Sequence, residues 1–175
     1  DPFEIAGSVN NGNRLVILKK TGAASRFLYL ENLGGQLSVN TEGNIRGHAC
    51  AAAAYGVAAT PAAEAGGPSP NPTGPFPNPF SAANLVERFS SDGPRRLFFN
   101  ANGAAITPGN FSATGGTLRQ KPDITAADGV MVTGAGGFPT RFYGTSAAAP
   151  HAAAIAAMLK SANPSLTSAQ TRTAL

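Results

Sequence analysis

The chain is 175 residues long, enough for one domain with a real core, and it is 42% hydrophobic but only 13% charged, with 21 glycines, 14 prolines and no tryptophan. That balance excludes a disordered chain, which would be charge-rich and apolar-poor, and it suits a compact α/β protein with many turns. The net charge of +4 is scattered: Lys19-Lys20 and Arg95-Arg96 have no flanking aromatics arranged as a stacking platform. No nucleic-acid partner is therefore expected.

Cys50 is the only cysteine, so neither an intrachain disulfide nor a thiolate metal cluster can form. No apolar run reaches the roughly 18 residues that a membrane-crossing helix needs, because Pro150 and His151 interrupt the alanine-rich tract. No membrane partner is expected. No signal peptide is visible and Asp1 opens the chain without Met, which suggests a processed or trimmed piece.

In chain order, Arg14-Leu-Val-Ile-Leu-Lys-Lys20 is apolar in the middle and charged at its ends. The turn signal Thr21-Gly22 follows, then Arg26-Phe-Leu-Tyr-Leu30. The pair predicts a hairpin or two adjacent strands, with a further short strand near Gln36 to Val39. Residues 48–54 predict a turn or two of helix, and Tyr55-Gly-Val-Ala-Ala59 a buried strand. Pro61 to Phe80 carries so many prolines that it can hold neither helix nor central strand, and it reads as a surface loop.

Val86 to Ser91 looks strand-like, ending in the turn Asp92-Gly93-Pro94. Asn102-Gly103, between Leu97-Phe-Phe-Asn100 and Ala104-Ala-Ile-Thr107, is the strongest short hairpin signal in the chain. Lys121-Pro122-Asp123-Ile124-Thr125-Ala126 predicts another strand, with Pro122 at its start where no ladder donor is lost. The glycine-rich stretch 129–143 leads to a long helix. After Asn163-Pro164-Ser165-Leu166, Thr167 is placed to cap a last one.

The long helix begins at Tyr143-Gly144-Thr145-Ser146-Ala147-Ala148-Ala149-Pro150-His151, a glycine turn with a hydroxyl directly behind it. If Ser146 is the N-cap, Pro150 is the fourth helical residue, where a missing N–H costs little. From Ala147 to Leu159 the only polar side chain is His151, so the helix reads as apolar on every face and belongs in a core. Amides at a helix start are unpaired and the dipole there is positive, which suits a developing oxyanion. By local physics alone, Thr145 or Ser146 as a simple capping hydroxyl is the more ordinary reading, because Ser and Thr caps are common.

Gly144-Thr145-Ser146-Ala147-Ala148-Ala149-Pro150-His151-Ala152-Ala153 resembles the nucleophile motif of the subtilases, the subtilisin-like serine peptidases: Gly-Thr-Ser, a small residue or Met, Ala, any residue, Pro-His, then small residues. Phe89-Ser90-Ser91-Asp92-Gly93-Pro94, Lys121-Pro122-Asp123-Ile124-Thr125-Ala126, and Asn163-Pro164-Ser165-Leu166-Thr167 with Gln170 and Arg172 look like further subtilase stretches, in family order. The resemblance covers residues 45–175 and implies that Ser146 is the nucleophile.

A serine needs an adjacent base, itself oriented by a carboxylate. In subtilases the Asp motif, the His-Gly-Thr motif and the Asn of the oxyanion hole all precede the serine, and none of them is found here. His151 belongs to the serine motif, but the family does not use it as the base, and a structural role fits it better. His48, in Gly47-His48-Ala49, lacks the following Gly-Thr. Asp123 and Asp128 read as structural rather than as the orienting acid.

The expected fold is α/β: residues 45–175 form the C-terminal part of a parallel, helix-flanked subtilisin-like sheet, with 61–80 as a proline-rich surface loop and 1–44 as a small β-rich insertion. The expected function is that of a fragment of a serine endopeptidase working through an acyl-enzyme on Ser146, with a polypeptide substrate and without a cofactor. Its partner would be the missing upstream part of the catalytic domain, and the isolated chain would be inactive. Structural calcium is frequent in the family, but no dense carboxylate cluster offers a site for it. The resemblance implies a secreted or extracytoplasmic setting. The rival readings are a non-catalytic peptide-binding or scaffold module, and an esterase with an unrelated triad.

Overall fold

The computed structural model describes residues 7, 10–23, 28, 30, 37–39, 43–66, 72–137 and 140–175. The chain divides into two compact units, Asp1–Leu30 and Glu31–Leu175. In the first, Asn10 and Lys20 open tight turns at Asn11-Gly12 and Thr21-Gly22, closed by Asn13 N–H to Asn10 O (3.1 Å) and Ala23 N–H to Lys20 O (3.0 Å). The strand expected at Arg14–Lys20 does not form, and Leu15, Val16, Ile17 and Leu18 are exposed. Strand preference is mostly a matter of packing against a partner, and among the described residues this apolar tetrad has no paired strand. Of the second half of that hairpin only Leu28 and Leu30 lie within the described residues. Of the short strand expected near residue 36, Leu37–Val39 are described and are not strand.

The second unit is α/β. Its centre is a parallel pair, β1 (Val57–Pro61) and β4 (Ile124–Asp128), in the register Val57↔Ile124 through Pro61↔Asp128. β1 lies two residues later than the sequence suggested, and the short helix before it is a 3₁₀ turn, Gly47–Cys50. Between them in sequence come β2 (Arg95–Leu97) and β3 (Thr117–Arg119), which pair antiparallel. Beyond β2 the expected hairpin forms around Asn102-Gly103, with Gly103 at φ 82° and Asn100 N–H bonded to Ala104 O at 2.9 Å. The Phe111 ring packs edge-on against buried Phe98 and stacks on Phe99.

The strand expected at Val86–Ser91 is instead an irregular segment lying along the free edge of β1. Glu87 N–H donates to Ala59 O (2.8 Å), but the Ala59 N–H goes to the Ser90 hydroxyl (3.0 Å) and the Thr60 hydroxyl donates to Leu85 O (2.8 Å). Side-chain hydroxyls here take the backbone partners a ladder would have used, and the segment turns away at Arg88-Phe89.

After β4 a two-residue antiparallel pair, β5 (Val130–Met131) and β6 (Arg141–Phe142), delivers the chain to α1 (Thr145–Ala162), which packs across both β1 and β4. Only one face of α1 is covered: Ala147, Ala148 and Ala152 are buried, whereas Ile155 and Met158 are 45% and 63% exposed. The all-round burial expected from its composition is not met, because a two-stranded sheet is too narrow to cover more than one stripe of helix. The final helix, α2 (Ser168–Ala174), starts as anticipated at Thr167. The Thr167 hydroxyl accepts from Gln170 N–H (3.2 Å) while the Gln170 side chain accepts from Thr167 N–H (2.8 Å), a reciprocal capping box.

At the N-terminal end of the parallel pair one carboxylate gathers three segments. Asp123 accepts from Gly56 N–H, from Lys121 Nζ and from Arg172 NH1, each at 2.6 Å. Lys121 and Arg172 also both donate to Ala54 O, and the Arg172 guanidinium lies 4.2 Å over the Tyr55 ring. Burial by itself would raise the Asp123 pKa, but the donors from Lys121, Gly56 and Arg172 outweigh it and hold the carboxyl below its ordinary value. This settles Asp123 as structural: it fixes α2 against the entry to β1 and β4.

Candidate active site

Open parallel sheets place functional groups at the carboxyl ends of their strands. Here that end is Pro61 on β1 and Asp128 on β4, and the chain returns to it through β6. The Tyr143 ring lies against the backbone of two glycines: a Cβ at Gly129 would come 2.8 Å from Tyr143 Cε1, and one at Gly66 would collide with the ring. Gly144 follows at φ 116°, ψ 161°, a conformation that L residues rarely adopt. Its N–H donates to Asp128 Oδ2 at 2.8 Å. Its carbonyl accepts from Ala147 N–H (2.9 Å) and Ala148 N–H (3.2 Å), which starts the helix.

The N-cap is therefore Gly144, not Ser146. Ser146 is the second residue of α1, exposed, and neither its N–H nor its Oγ is hydrogen-bonded among the described residues. The capping-hydroxyl reading of Ser146 thus falls away, since no side chain caps this helix. Pro150 becomes the sixth helical residue rather than the fourth. The bond it removes is the one to the Ser146 carbonyl, which lies at an exposed position and can be hydrated.

Neither histidine reaches the serine as a base. His151 Nδ1 lies 2.8 Å from Ala147 O, so the ring is turned back along its own helix; with a carbonyl as partner, Nδ1 is the nitrogen that donates. His48 sits in the 3₁₀ turn ahead of β1, whose carbonyl accepts from Ala51 N–H. That is the opposite end of the sheet from Asp128 and Gly144, and five residues of strand lie between, about 13 Å of rise. A working base must lie within hydrogen-bond reach or one water away, so the esterase built on His48 is removed.

What the structure does bring to this end is a pair of carboxyls, Glu87 and Asp128, both fully buried. Glu87 Oε1 accepts from Gly66 N–H at 2.6 Å, and Asp128 Oδ2 from Gly144 N–H. The second oxygens, Glu87 Oε2 and Asp128 Oδ1, have no partner among the described residues. Burial pushes both pKa values up, and for Glu87 the Asp128 charge pushes further; the backbone donors, Gly66 for Glu87 and Gly144 with its own amide for Asp128, only partly oppose this. Sequence reasoning missed Glu87 altogether. The available signal was a lone acid inside the apolar run Leu85-Val86-Glu87 ahead of Phe89, since a charge at a buried strand-like position demands a reason.

The family model described as the subtilase family matches residues 8–175. The chain belongs to the subtilase family. No curated protein and no solved structure matches it. The family is one of serine peptidases, so polypeptide is the substrate class at family level, and the α/β arrangement is that of a partial subtilisin-like fold. Among the described residues of this subtilase no group of three or more His, Cys, Asp or Glu side chains could hold a metal ion. Among the described residues no helix is long and apolar enough to cross a membrane.

Proposed function

We propose that this chain is the nucleophile-bearing part of a subtilisin-like serine endopeptidase, with Ser146 forming the acyl-enzyme. The observation that carries the reading is the state of Ser146. It is an exposed hydroxyl with no hydrogen bond among the described residues, two residues past a glycine of positive φ, at the positive end of an eighteen-residue helix. Attack by Oγ on a peptide carbonyl would leave the oxyanion beside unpaired amides at the helix start, where dipole and donors both favour negative charge. The match to the subtilase family over residues 8–175 supports the same assignment.

The base, its orienting acid and the second oxyanion donor would come from a further part of the catalytic domain. Two features support this. Purely parallel sheets are normally covered on both faces and wider than two strands, and here Ile155 and Met158 leave an apolar stripe of α1 exposed. Loss of the histidine in a subtilisin costs roughly 10⁶ in turnover, so these 175 residues alone are expected to hydrolyse nothing measurable.

The test is complementation. The chain is co-expressed with a subtilase segment that carries the Asp, His-Gly-Thr and Asn motifs, then exposed to a fluorophosphonate probe. Labelling and casein cleavage should appear only in the combined preparation and vanish in Ser146→Ala. Stoichiometric labelling of the chain alone would defeat the proposed division of the machinery. Labelling that survives Ser146→Ala would defeat the nucleophile assignment. Folding and peptide binding with no cleavage under complementation would favour a non-catalytic binding or scaffold module.

A further inference from the structure

Two buried carboxylates close enough to feel each other's charge, with no cation bonded to either, are costly, because each must be paired, hydrogen-bonded or neutralised. Glu87 holds the Gly66 amide, which lies against the Tyr143 ring, and Asp128 holds the amide of the residue after Tyr143, Gly144. Glu87 and Asp128 approach the end of β1 from opposite sides. Glu87 belongs to the segment bonded to Ala59, while Asp128 is the last residue of β4, in register with Pro61. Each uses one oxygen to accept a backbone N–H, and each keeps one oxygen fully buried and unpartnered. The deficit is thus two acceptor oxygens, and a single proton held between them satisfies both. Among the described residues no cation is bonded to either carboxyl. Arg141 on β6 lies 3.4 Å from the exposed Glu64 and keeps a buried NH1 without a hydrogen-bond partner, but its charge is not among the groups that lower Glu87 or Asp128. Arg88 is exposed, and Tyr143 contributes the ring that covers Gly66 and Gly129.

We infer that Glu87 and Asp128 hold one proton between them, and that this carboxyl pair is the positioning element that fixes Gly144, and through it Ser146, at the start of α1. The chain of contacts is short. Gly66 N–H holds Glu87, the shared proton joins Glu87 to Asp128, and Asp128 holds Gly144 N–H. Gly144 O in turn accepts from the amides of Ala147 and Ala148, the two residues that follow the nucleophile. Asp128 touches no reacting atom and acts through the turn. When both carboxyls ionise they repel across a site that excludes water, and the Asp128–Gly144 link is the contact that can yield. The nucleophile turn would then be ordered only while the pair keeps its proton. This role rests on Ser146 being the nucleophile; the shared proton itself does not.

Two readouts separate these layers. In the intact chain, infrared spectroscopy at neutral pH should show a protonated-carboxyl band. It should disappear in both Glu87→Gln and Asp128→Asn, because either amide supplies the one donor that the opposing carboxylate needs. In the complemented preparation, fluorophosphonate labelling of Ser146 should fall with rising pH as the pair ionises. Asp128→Ala should label about 10²-fold more slowly, the cost of a nucleophile misplaced by around an ångström. Asp128→Asn should recover labelling relative to Asp128→Ala and remove that alkaline fall, because the amide cannot ionise.

A neutral-pH spectrum without the band overturns the shared proton, including the case in which a bound cation fills the gap. A band with no difference between Asp128→Ala and Asp128→Asn overturns the positioning role. If labelling survives Ser146→Ala while the band is present, the nucleophile assignment fails and the carboxyl pair stands. Should Asp128→Ala not fold, the wild-type and Asp128→Asn pH profiles decide: parallel alkaline limbs overturn the role.

Discussion

At the N-terminal end of β1 and β4, Asp123 meets a backbone amide and two cationic side chains. At the C-terminal end, some four residues of strand away, Glu87 and Asp128 each accept one backbone amide from another segment, and among the described residues no cationic side chain bonds to either. The two ends of the same strand pair thus hold one carboxylate supplied with several side-chain and backbone donors and two supplied only by backbone amides. The first arrangement holds its charge at every ordinary pH and clamps α2 to the sheet. The second is finely balanced, and it is the one joined to the turn that presents Ser146. Rigidity is concentrated where no chemistry is expected, and a proton-sensitive contact lies where it is.

The largest expected effect comes from breaking the well-paired end. Asp123→Ala strands Lys121, whose side chain is only 3% exposed, as a buried cation without its carboxylate. The expected loss is about 3–5 kcal/mol in a urea titration, the usual cost of removing one partner from a buried pair. Asp123→Asn, which keeps the shape and an acceptor oxygen, should cost less. If Asp123→Ala is neutral, the clamp is not what holds this end, and the comparison between the two ends fails.

The next effect is in pH dependence, and the two ends pull in opposite directions. Asp123 has a folded pKa below its unfolded value, so its contribution is present above about pH 4 and is lost as pH falls through the folded value. Glu87 and Asp128 have folded pKa values above their unfolded ones. Their contribution is fully present below about pH 4 and is lost as pH rises through the folded values. Stability should therefore decline from mildly acidic toward neutral pH, with a slope of at most about 1.4 kcal/mol per pH unit for each proton released. Glu87→Gln should flatten that decline, and Asp123→Asn should leave it intact while changing the acid limb. Urea midpoints across the pH range, measured on the three proteins, check both signs.

The two ends also differ in how far the sequence disclosed them. The Lys121-Pro122-Asp123 stretch, the strand after it and the Thr167 cap are local signals, and each appears in the structure at or near the expected place. Ser146 can be singled out from the sequence because the glycine turn and the motif are contiguous in the chain. The Glu87–Asp128 pair was not, because its members lie 41 positions apart and are joined only by β1, which separates the segment of Glu87 from β4. The helix start was misplaced by two residues for a related reason. A Ser or Thr hydroxyl is the ordinary cap, whereas here Asp128 fixes the Gly144 amide from another strand and no side chain caps the helix. At Val86–Ser91 the composition suggested a strand, yet the outcome was decided by one hydroxyl, Ser90, taking the Ala59 amide.

The smallest expected effect tests whether the well-paired end depends on α2 being helical. Arg172 can reach Asp123 only if α2 forms, and a seven-residue helix is too short to be stable without its cap and its packing. Thr167→Ala removes the side-chain half of the capping box and should cost about 1 kcal/mol. If the cap serves the clamp, Thr167→Ala and Arg172→Ala should be non-additive: once the guanidinium is gone, fraying of α2 no longer releases Asp123, and the second substitution costs less than it does alone. Strict additivity in a double-mutant cycle would mean that Arg172 finds Asp123 whether or not the helix is capped. The order at this end would then reside in Lys121 and Gly56 alone, with α2 an attached element rather than part of the clamp.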